Sequence, residues 1–299
     1  MTLYIPDTDC ILQSQVNLAS HTSLRVGGTA QWYVVPENCE QLQGSLQWAQ
    51  QEQLPITFLG GGSNLLISDR GLPGLVISAR HFRDLAINEE RATVTASAGI
   101  PLPTVAWKAA KRGWSGLEWA VGIPGTVGGS VVMNAGAHGS CVGDTLLEVV
   151  VLTIAGKIER LAPSDLEFRY RTSNLQHRPR WVMEATFQLQ AGYAREEITT
   201  KTQTNFNQRR NSQPYDKPSC GSVFRNPKEQ AAGWLIEQAG LKGYQVGGAQ
   251  VAHRHANFIL NCGQAKAQDI YNVIQHVQEK VEQQWSILLQ PEVKLLGEF

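Results

Sequence analysis

The sequence predicts a protein of mixed helices and strands with more than one domain. The chain has 299 residues, more than a single hydrophobic core usually serves. Short apolar runs alternate with segments whose apolar residues recur at helical spacing, and the middle of the chain is richest in strand-like runs. We therefore expect two or three domains, each large enough to bury its own core.

The first part of the chain alternates between strand and helix patterns. Strand-like runs cover 32–35, 56–59, 65–67, 75–78 and 92–96. Apolar residues fall at helical spacing between Pro36 and Pro55, and again over 103–112, where Gly113 ends the pattern. The strand at 56–59 leads directly into a glycine cluster.

The rest of the chain begins strand-rich and then becomes helical. Strand-like runs cover 146–154 and 181–189, and helical patterns cover 195–210, 231–239 and 270–285. Gly156-Lys157 marks a hairpin turn after the first of these strands. The composition becomes polar and rich in Gln after Gly192, so we place the start of a last domain near residue 192. The apolar stripe from Ile270 to Trp285 is expected to pack in the core of that domain.

The composition excludes several classes of protein. Lys plus Arg and Asp plus Glu each number 26, so the chain lacks the cationic surface of a sequence-independent nucleic-acid binder. Its five cysteines are scattered without a C-x-x-C pair, which indicates neither a disulfide framework nor a zinc site. No signal-peptide design or membrane-spanning apolar run is apparent. We expect a cytoplasmic protein with no nucleic-acid partner and no membrane insertion.

Two glycine clusters carry the strongest functional signal. They are Gly60-Gly61-Gly62-Ser63-Asn64 and Gly122-Ile123-Pro124-Gly125-Thr126-Val127-Gly128-Gly129. Four glycines and a proline in the second cluster are expected to exclude a helix or strand interior. Backbone N–H groups without side chains can approach an anion closely, so the pair predicts a ligand with a diphosphate. A plain turn is the alternative for either cluster alone.

Neither cluster matches a simple nucleotide-binding motif. The chain has no G-x-x-x-x-G-K-[ST] sequence, and no G-x-G-x-x-G sequence opens a helix. A P-loop or a Rossmann dinucleotide site is therefore disfavoured.

Two polar segments are candidates for chemistry, residues 168–173 (FRYRTS) and 219–227 (SCGSVFRNP). An arginine in such a segment can hold a carboxylate through two parallel hydrogen bonds, although an exposed surface arginine is the alternative. Ser222 follows a glycine and can be presented on a sharp turn. The chain lacks a G-x-S-x-G elbow, so a turn or capping serine is the default interpretation.

Two histidines, His253 and His255, precede a strand-like run. On a strand they would face the same side and could bind a metal ion. No third ligand with a recognisable spacing accompanies them, so we expect hydrogen-bonding or structural roles and no bound metal.

Together these motifs resemble the UDP-N-acetylenolpyruvoylglucosamine reductase family, flavoenzymes that complete UDP-N-acetylmuramate for bacterial peptidoglycan. The resemblance runs nearly end to end. Its matching segments are 21–28, 60–64, 116–118, 122–129, 168–173, 221–227, 255–259 and 291–293.

The resemblance implies an α+β fold. A two-part FAD-binding domain of the PCMH/vanillyl-alcohol-oxidase type would cover 1–79 and 80–191, and an α+β substrate-binding domain would cover 192–299. Related oxidases often tether FAD through a histidine where this chain has Ser63-Asn64, so the FAD would be noncovalent. Between Trp181 and Gly192 there is no room for the tyrosine-bearing segment of the longer class, so the chain resembles the shorter class. We expect a monomer.

The resemblance also implies the reaction and its residues. NADPH reduces FAD, and the flavin then reduces UDP-N-acetylglucosamine enolpyruvate. Arg171, assisted by Glu292, would stabilise negative charge at the substrate carboxylate, and Ser222 would donate a proton to the ether-bearing carbon. The implied cofactor contacts are Arg25, Gly60, Gly61, Gly62, Ser63, Asn64, Gly122, Ile123, Pro124, Gly125, Thr126, Gly128, Gly129 and Asn134. The implied substrate or nicotinamide contacts are Tyr170, Asn226, His255 and Asn257.

Two other functions compete with this one. Related flavoproteins share the cofactor domain, so the chain could be an oxidase or dehydrogenase of another small alcohol or sugar. It could also be a noncatalytic sensor of a nucleotide or nucleotide sugar. The matches at Arg171, Ser222 and Glu292 argue against both.

Overall fold

The protein forms two compact units, each assembled from segments that are distant in sequence. The computed structural model describes residues 2–178 and 180–299. Unit 1 contains the described residues of Met1–Gln13, Trp32–Gly61 and Gly74–Arg209; unit 2 contains Ser14–Gln31, Gly62–Pro73 and Arg210–Phe299. The division into 1–79, 80–191 and 192–299 stays a prediction.

The described residues contain both helices and strands, in agreement with the predicted α+β class. The helices are α1 Cys39–Gln51, α2 Leu102–Ala110, α3 Val127–Val132, α4 Arg195–Ser212, α5 Ala232–Gln238 and α6 Ala267–Trp285. The strands are β1 Leu3–Tyr4, β2 Ile11–Asn17, β3 Thr29–Val34, β4 Ile56–Leu59, β5 Leu65–Ile67, β6 Leu72–Ser78, β7 Leu85–Asn88, β8 Thr93–Ser97, β9 Gly136–Ala137, β10 Ser140–Cys141, β11 Leu146–Thr153, β12 Ile158–Leu161, β13 Arg180–Gln188, β14 Gln245–Val246, β15 Ala249–Val251, β16 Ile259–Asn261 and β17 Lys294–Leu296.

Two five-stranded sheets have the strand orders β1-β2-β3-β6-β4 and β12-β11-β13-β8-β7, and all strands of the second sheet belong to unit 1. In the first sheet β4 and β6 run parallel, and residues 60–71, which include β5, form the crossover that connects them. Helix α1 begins after Asn38, whose side chain accepts a hydrogen bond from Gln41 N. The second sheet is antiparallel, as the short turn at Gly156 allows.

Unit 2 combines α5 and α6 with the antiparallel sheet β14-β15-β16 and the parallel pair β5–β17. The predicted apolar stripe of α6 is buried from Ile270 to Val281, and Trp285 is half-buried. Asp69, which precedes β6, accepts hydrogen bonds from Ala267 N at 2.9 Å and Gln268 N at 3.0 Å. These bonds satisfy donors that the first turn of a helix leaves open, and they fix residues 62–73 to the start of α6.

None of the described helices combines the length and the apolar character that a bilayer crossing requires.

Candidate active site

The two glycine clusters touch each other in unit 1. The first begins where β4 ends at Leu59, as predicted. A Cβ atom added to Gly60 would lie 2.8 Å from Thr126 Oγ1, and one added to Gly61 would lie 3.0 Å from Gly125 Cα. Because a side chain would have to displace its neighbour at either position, glycine lets the two backbones meet. The start of the first cluster and the middle of the second therefore lie side by side in unit 1.

The second cluster ends inside a helix. Gly128 and Gly129 lie in α3 (Val127–Val132), so the prediction that this cluster excludes a helix was wrong. Gly128 N donates to Ala98 O at 3.0 Å, and a Cβ on Gly128 would lie 2.8 Å from Ala98 Cβ. This close approach to the chain after β8 leaves no room for a side chain at position 128. It explains why a glycine stands there, although a glycine destabilises a helix by about 1 kcal/mol relative to alanine.

One polar atom in this loop is buried without a partner. Thr126 Oγ1 makes no hydrogen bond to any described residue. Backbone bonds from Val127 N to Ile100 O at 2.8 Å and from Leu102 N to Gly125 O at 3.1 Å hold the loop in place. A buried hydroxyl without a partner costs about 1–3 kcal/mol, and a polar ligand at the loop would remove that cost.

A buried carboxylate supports the chain just before the second cluster. Glu118 is 4% exposed and accepts hydrogen bonds from Ser115 Oγ at 2.8 Å and Gly116 N at 2.7 Å. From α4, Lys201 Nζ lies 3.0 Å from its carboxylate and Asn205 Nδ2 donates to its carbonyl at 3.1 Å. Burial raises the pKa of Glu118, but the backbone and side-chain hydrogen bonds outweigh it, and the pKa lies below its ordinary value.

Helix α4 also reaches the cluster itself. A Cβ atom on Gly122 would lie 2.5 Å from Cδ of Arg209, so the arginine stem packs on the glycine. The sequence analysis identified neither Arg209 nor Lys201 as part of this region, because both belong to a Gln-rich polar helix that carried no motif.

The end of the first cluster belongs to unit 2. Gly62 has a φ of +62°, and a Cβ there would overlap the carbonyl oxygen of His21. Ser23 N donates to Gly62 O at 3.0 Å. Arg25, an implied cofactor contact, has a φ of +55° in the same segment. Residues 21–28 and Gly62 are thus held together in unit 2.

Ser222 and Glu292 are brought to neighbouring backbone positions in unit 2. Glu292 N donates to Val223 O at 2.7 Å, and Phe224 forms a β-bridge with Pro291. Gly221, before the serine, has a φ of +81°. The chain bends at Gly221, and the presentation of the Ser222 hydroxyl there stays a prediction.

Asn64 supports the same region from the first glycine cluster. Its Nδ2 donates to Glu292 O at 3.0 Å, and its carbonyl oxygen accepts from Lys294 N at 3.0 Å. Asn64 therefore binds the backbone on both sides of Val293 and fixes the strand that carries Glu292.

Two implied substrate contacts have structural partners. Asn257 is 3% exposed; it accepts from Phe224 N at 2.9 Å and donates to Phe224 O at 2.8 Å. Its own carbonyl accepts from Val223 N at 2.9 Å. Asn226 Oδ1 accepts from Ala232 N at 3.1 Å, at the start of α5. The Asn257 side chain thus holds the backbone close to Ser222, whereas Asn226 holds the start of α5.

The histidine pair lies in the loop between β15 and β16 and not on a strand. The period-two geometry considered for a shared metal ion therefore does not apply. The ring centroid of His255 lies 4.8 Å from that of Phe258. Among the described residues, no group of three or more His, Cys, Asp and Glu side chains could hold a metal ion.

Arg171 occupies the tip of a tight turn in unit 1. Arg169 N donates to Thr172 O at 3.0 Å, and Thr172 N donates back to Arg169 O at 3.1 Å. Arg171 has a φ of +55°, which costs a residue with a Cβ about 1–2 kcal/mol. Its Nη2 donates to Gly136 O at 2.7 Å, and its guanidinium carbon lies 4.9 Å from the ring centroid of Tyr170. Strain of this kind is concentrated at functional sites.

Two residues near Ser222 and Glu292 have shifted pKa values that the sequence did not predict, Cys220 in the candidate segment 219–227 and Lys294 outside the predicted site. Burial raises the pKa of Cys220 to about 12, so this thiol stays protonated and uncharged beside the serine. Burial and the nearby charge of Arg225 lower the pKa of Lys294. Nothing in the local sequence signals these shifts, because they arise from burial and from strand pairing.

Comparisons with known proteins identify the family. The C-terminal domain of UDP-N-acetylenolpyruvoylglucosamine reductase matches residues 213–296, and an FAD binding domain matches residues 30–162. The UDP-N-acetylenolpyruvoylglucosamine reductase of Acaryochloris marina is 57% identical over 298 residues, covering 100% of this chain and 97% of the relative. The chain belongs to the UDP-N-acetylenolpyruvoylglucosamine reductase family.

Solved structures agree with membership of the reductase family. The crystal structure of UDP-N-acetylenolpyruvylglucosamine reductase from Thermus caldophilus has a TM-score of 0.83 and 35% identity, over 96% of this chain and 100% of that one. A cholesterol oxidase from Brevibacterium sterolicum has a TM-score of 0.50 and 15% identity over 64% of this chain and 40% of that one, which shows the fold alone. The predicted family and flavoprotein fold are confirmed.

The geometry of this reductase-family chain fits the diphosphate of FAD. Both glycine clusters include residues within the matched FAD binding domain, and they meet where a Cβ atom would collide. The buried Thr126 hydroxyl, which has no partner among the described residues, lies at their junction. FAD is accordingly the cofactor that the fold and the family support.

Proposed function

We propose that this chain catalyses the NADPH-dependent reduction of UDP-N-acetylglucosamine enolpyruvate to UDP-N-acetylmuramate, a step in peptidoglycan precursor synthesis. The observation that carries the proposal is family membership over the whole chain at 57% identity. The pairing of the Ser222 and Glu292 segments and the strained turn at Arg171 support it further.

FAD, when bound, supplies hydride transfer from NADPH to the vinyl carbon of the substrate. The two glycine clusters would hold its diphosphate through backbone N–H groups, with Thr126 Oγ1 as an additional donor. The proposed contacts are Arg25, Gly60, Gly61, Gly62, Ser63, Asn64, Gly122, Ile123, Pro124, Gly125, Thr126, Gly128 and Gly129. The cofactor is noncovalent, and the chain acts as a monomer of the shorter class.

Arg171 stabilises the negative charge that develops toward the substrate carboxylate. A guanidinium stays protonated and binds a carboxylate through two hydrogen bonds. Stabilisation that is stronger in the transition state than in the ground state raises the rate. Glu292 assists through a hydrogen bond. Tyr170, Asn226, His255 and Asn257 contribute to the substrate or nicotinamide site by direct contact or by shaping its backbone.

Ser222 gives its proton to the ether-bearing carbon after hydride has been added to the neighbouring vinyl carbon. A serine hydroxyl is a weak acid, so it needs close positioning and recovers its proton from water or a neighbouring group. The left-handed backbone of Gly221 supports that positioning. So do the hydrogen bonds from Phe224 N to Asn257 Oδ1 and from Glu292 N to Val223 O.

The test is an anaerobic titration of the purified protein followed by absorbance. NADPH should bleach the flavin bands, and UDP-N-acetylglucosamine enolpyruvate should restore them. Bleaching without recovery would indicate another acceptor, as in an oxidase or dehydrogenase. Flavin bands that NADPH does not bleach would favour a noncatalytic sensor.

A further inference from the structure

The turn that carries Arg171 is held by a neighbouring short helix. Gln176 ends the 3-10 helix Asn174–Gln176, and its Nε2 donates to Arg171 O at 3.0 Å and to Val132 O at 3.1 Å. Ser173 Oγ also donates to Val132 O, at 2.7 Å. The carbonyl of the residue with strained backbone is therefore tied to the last residue of α3.

A second support comes from just beyond α3. Asn134 is 5% exposed and has a φ of +42°. Its Nδ2 donates to Arg169 O at 3.1 Å, and its Oδ1 accepts from Gly143 N at 3.0 Å. Both ends of this buried amide bind the chain itself, one of them at the base of the Arg171 turn.

The guanidinium is oriented by the same part of the chain. Arg171 Nη2 donates to Gly136 O at 2.7 Å, two residues beyond Asn134. The backbone of Arg171 is thus linked to Val132 through Gln176, and its side chain is hydrogen-bonded to Gly136. A left-handed residue relaxes when its restraints are removed, and relaxation of the turn would move the guanidinium.

We propose that Gln176 and Asn134 are positioning residues for Arg171. They hold its backbone in the left-handed conformation so that the guanidinium meets the substrate carboxylate. This inference rests on the proposed function. It also reassigns Asn134, which the family resemblance places at FAD, to the substrate half of the reaction.

The main test compares the two half-reactions of the Gln176→Ala holoenzyme by anaerobic stopped flow. Flavin reduction by NADPH should stay within about twofold of the wild type. Reoxidation by UDP-N-acetylglucosamine enolpyruvate should slow about tenfold or more, because a small misplacement of a catalytic group has effects of this size. The dissociation constant of that substrate, measured by calorimetry, should rise. A reoxidation rate equal to the wild type would overturn the proposal.

Asn134→Asp tests the second support. The carboxylate keeps an acceptor for Gly143 N but loses the donor to Arg169 O. Slower reoxidation with unchanged FAD affinity is expected. Weaker FAD binding with normal reoxidation would instead restore Asn134 to the cofactor site.

Gln43→Ala is the matched control, because Gln43 Nε2 also donates to a backbone carbonyl of unit 1, that of Gly156 at 2.9 Å. It should leave both half-reactions unchanged. In an Arg171→Ala background, Gln176→Ala should add no further loss of reoxidation, since a positioning residue acts only through the residue it holds. Additive losses would overturn the proposal. If the wild type itself fails to turn over this substrate, the proposed function fails instead.

Discussion

At the residue scale, Arg171 combines a guanidinium with a backbone conformation that its Cβ disfavours, and two substitutions separate these features. Arg171→Ala and Arg171→Gly both remove the guanidinium, but only glycine relaxes a φ of +55°. We expect the glycine variant to be more stable than the alanine variant by about 0.5–1 kcal/mol. Urea unfolding of both holoproteins measures the difference in the free energy of unfolding.

The same pair of variants should be equally poor in reoxidation by substrate, because neither carries the cation. A more stable alanine variant would show that the turn is not strained in solution. Gly139 offers the reverse control, because it is a native glycine with a φ of +81° and nothing lies within 4 Å of an added Cβ. Gly139→Ala should destabilise through backbone conformation alone.

Ser222 permits a second prediction at this scale. Its proton is used only after hydride has reached the substrate, so Ser222→Ala should leave flavin reduction by NADPH nearly intact. Reoxidation by substrate should slow by about 10²–10⁴-fold, the usual contribution of a positioned general acid. Stopped-flow absorbance resolves the two steps. Equal losses in both half-reactions would exclude Ser222 as the specific proton donor.

At the scale of elements, α4 is a polar helix that is tied to unit 1 by a buried carboxylate. Glu118 has a lowered pKa, so its charged form stabilises the folded state. This contribution is fully present above the pKa that Glu118 has in the unfolded chain, and it is lost as the pH falls through the lower folded pKa. Glu118→Gln should therefore lower the free energy of unfolding by about 1–3 kcal/mol at neutral pH and by progressively less in acid.

The measurement is the urea midpoint of wild type and Glu118→Gln from pH 7 down to about pH 3, because the loss begins only below the ordinary glutamate pKa of 4.5. The exposed Glu52 at the end of α1 provides a control, since the surface substitution Glu52→Gln should change the free energy of unfolding by no more than about 0.5 kcal/mol. A difference between wild type and Glu118→Gln that grows in acid would contradict the assigned direction of the pKa shift.

The elements also show what the sequence could and could not predict. Strong periodicity located α1, α6 and the strand Ile56–Leu59, because those patterns follow directly from which face is buried. Helix α3 was missed because Gly128 approaches Ala98 too closely for a side chain, which only the folded chain reveals. The family motifs led to Ser222, Glu292 and Arg171, whereas Gln176 and Lys294 lie outside those motifs or act through strand and turn contacts.

At the scale of the whole molecule, the two units are interleaved along the chain. Residues 14–31 and 62–73 belong to unit 2, where β5 pairs in parallel with β17 at the carboxyl end. Leu24 and Leu66 are fully buried in a core that also contains Phe224 and Ile274. A linear division at residue 192, predicted from composition, cannot detect such pairing, because the partners are more than 200 residues apart.

This interleaving predicts how fragments should behave. A fragment of residues 1–209 lacks β17 and most of the apolar partners of Leu24 and Leu66. Its segments 14–31 and 62–73 would therefore expose apolar surface. We expect it to show no cooperative unfolding and no FAD binding, measured by circular dichroism and by quenching of flavin fluorescence. Adding residues 210–299 should restore both signals, since it supplies the missing strand and core. A fragment 1–191 that folds and binds FAD alone would support the linear domains instead.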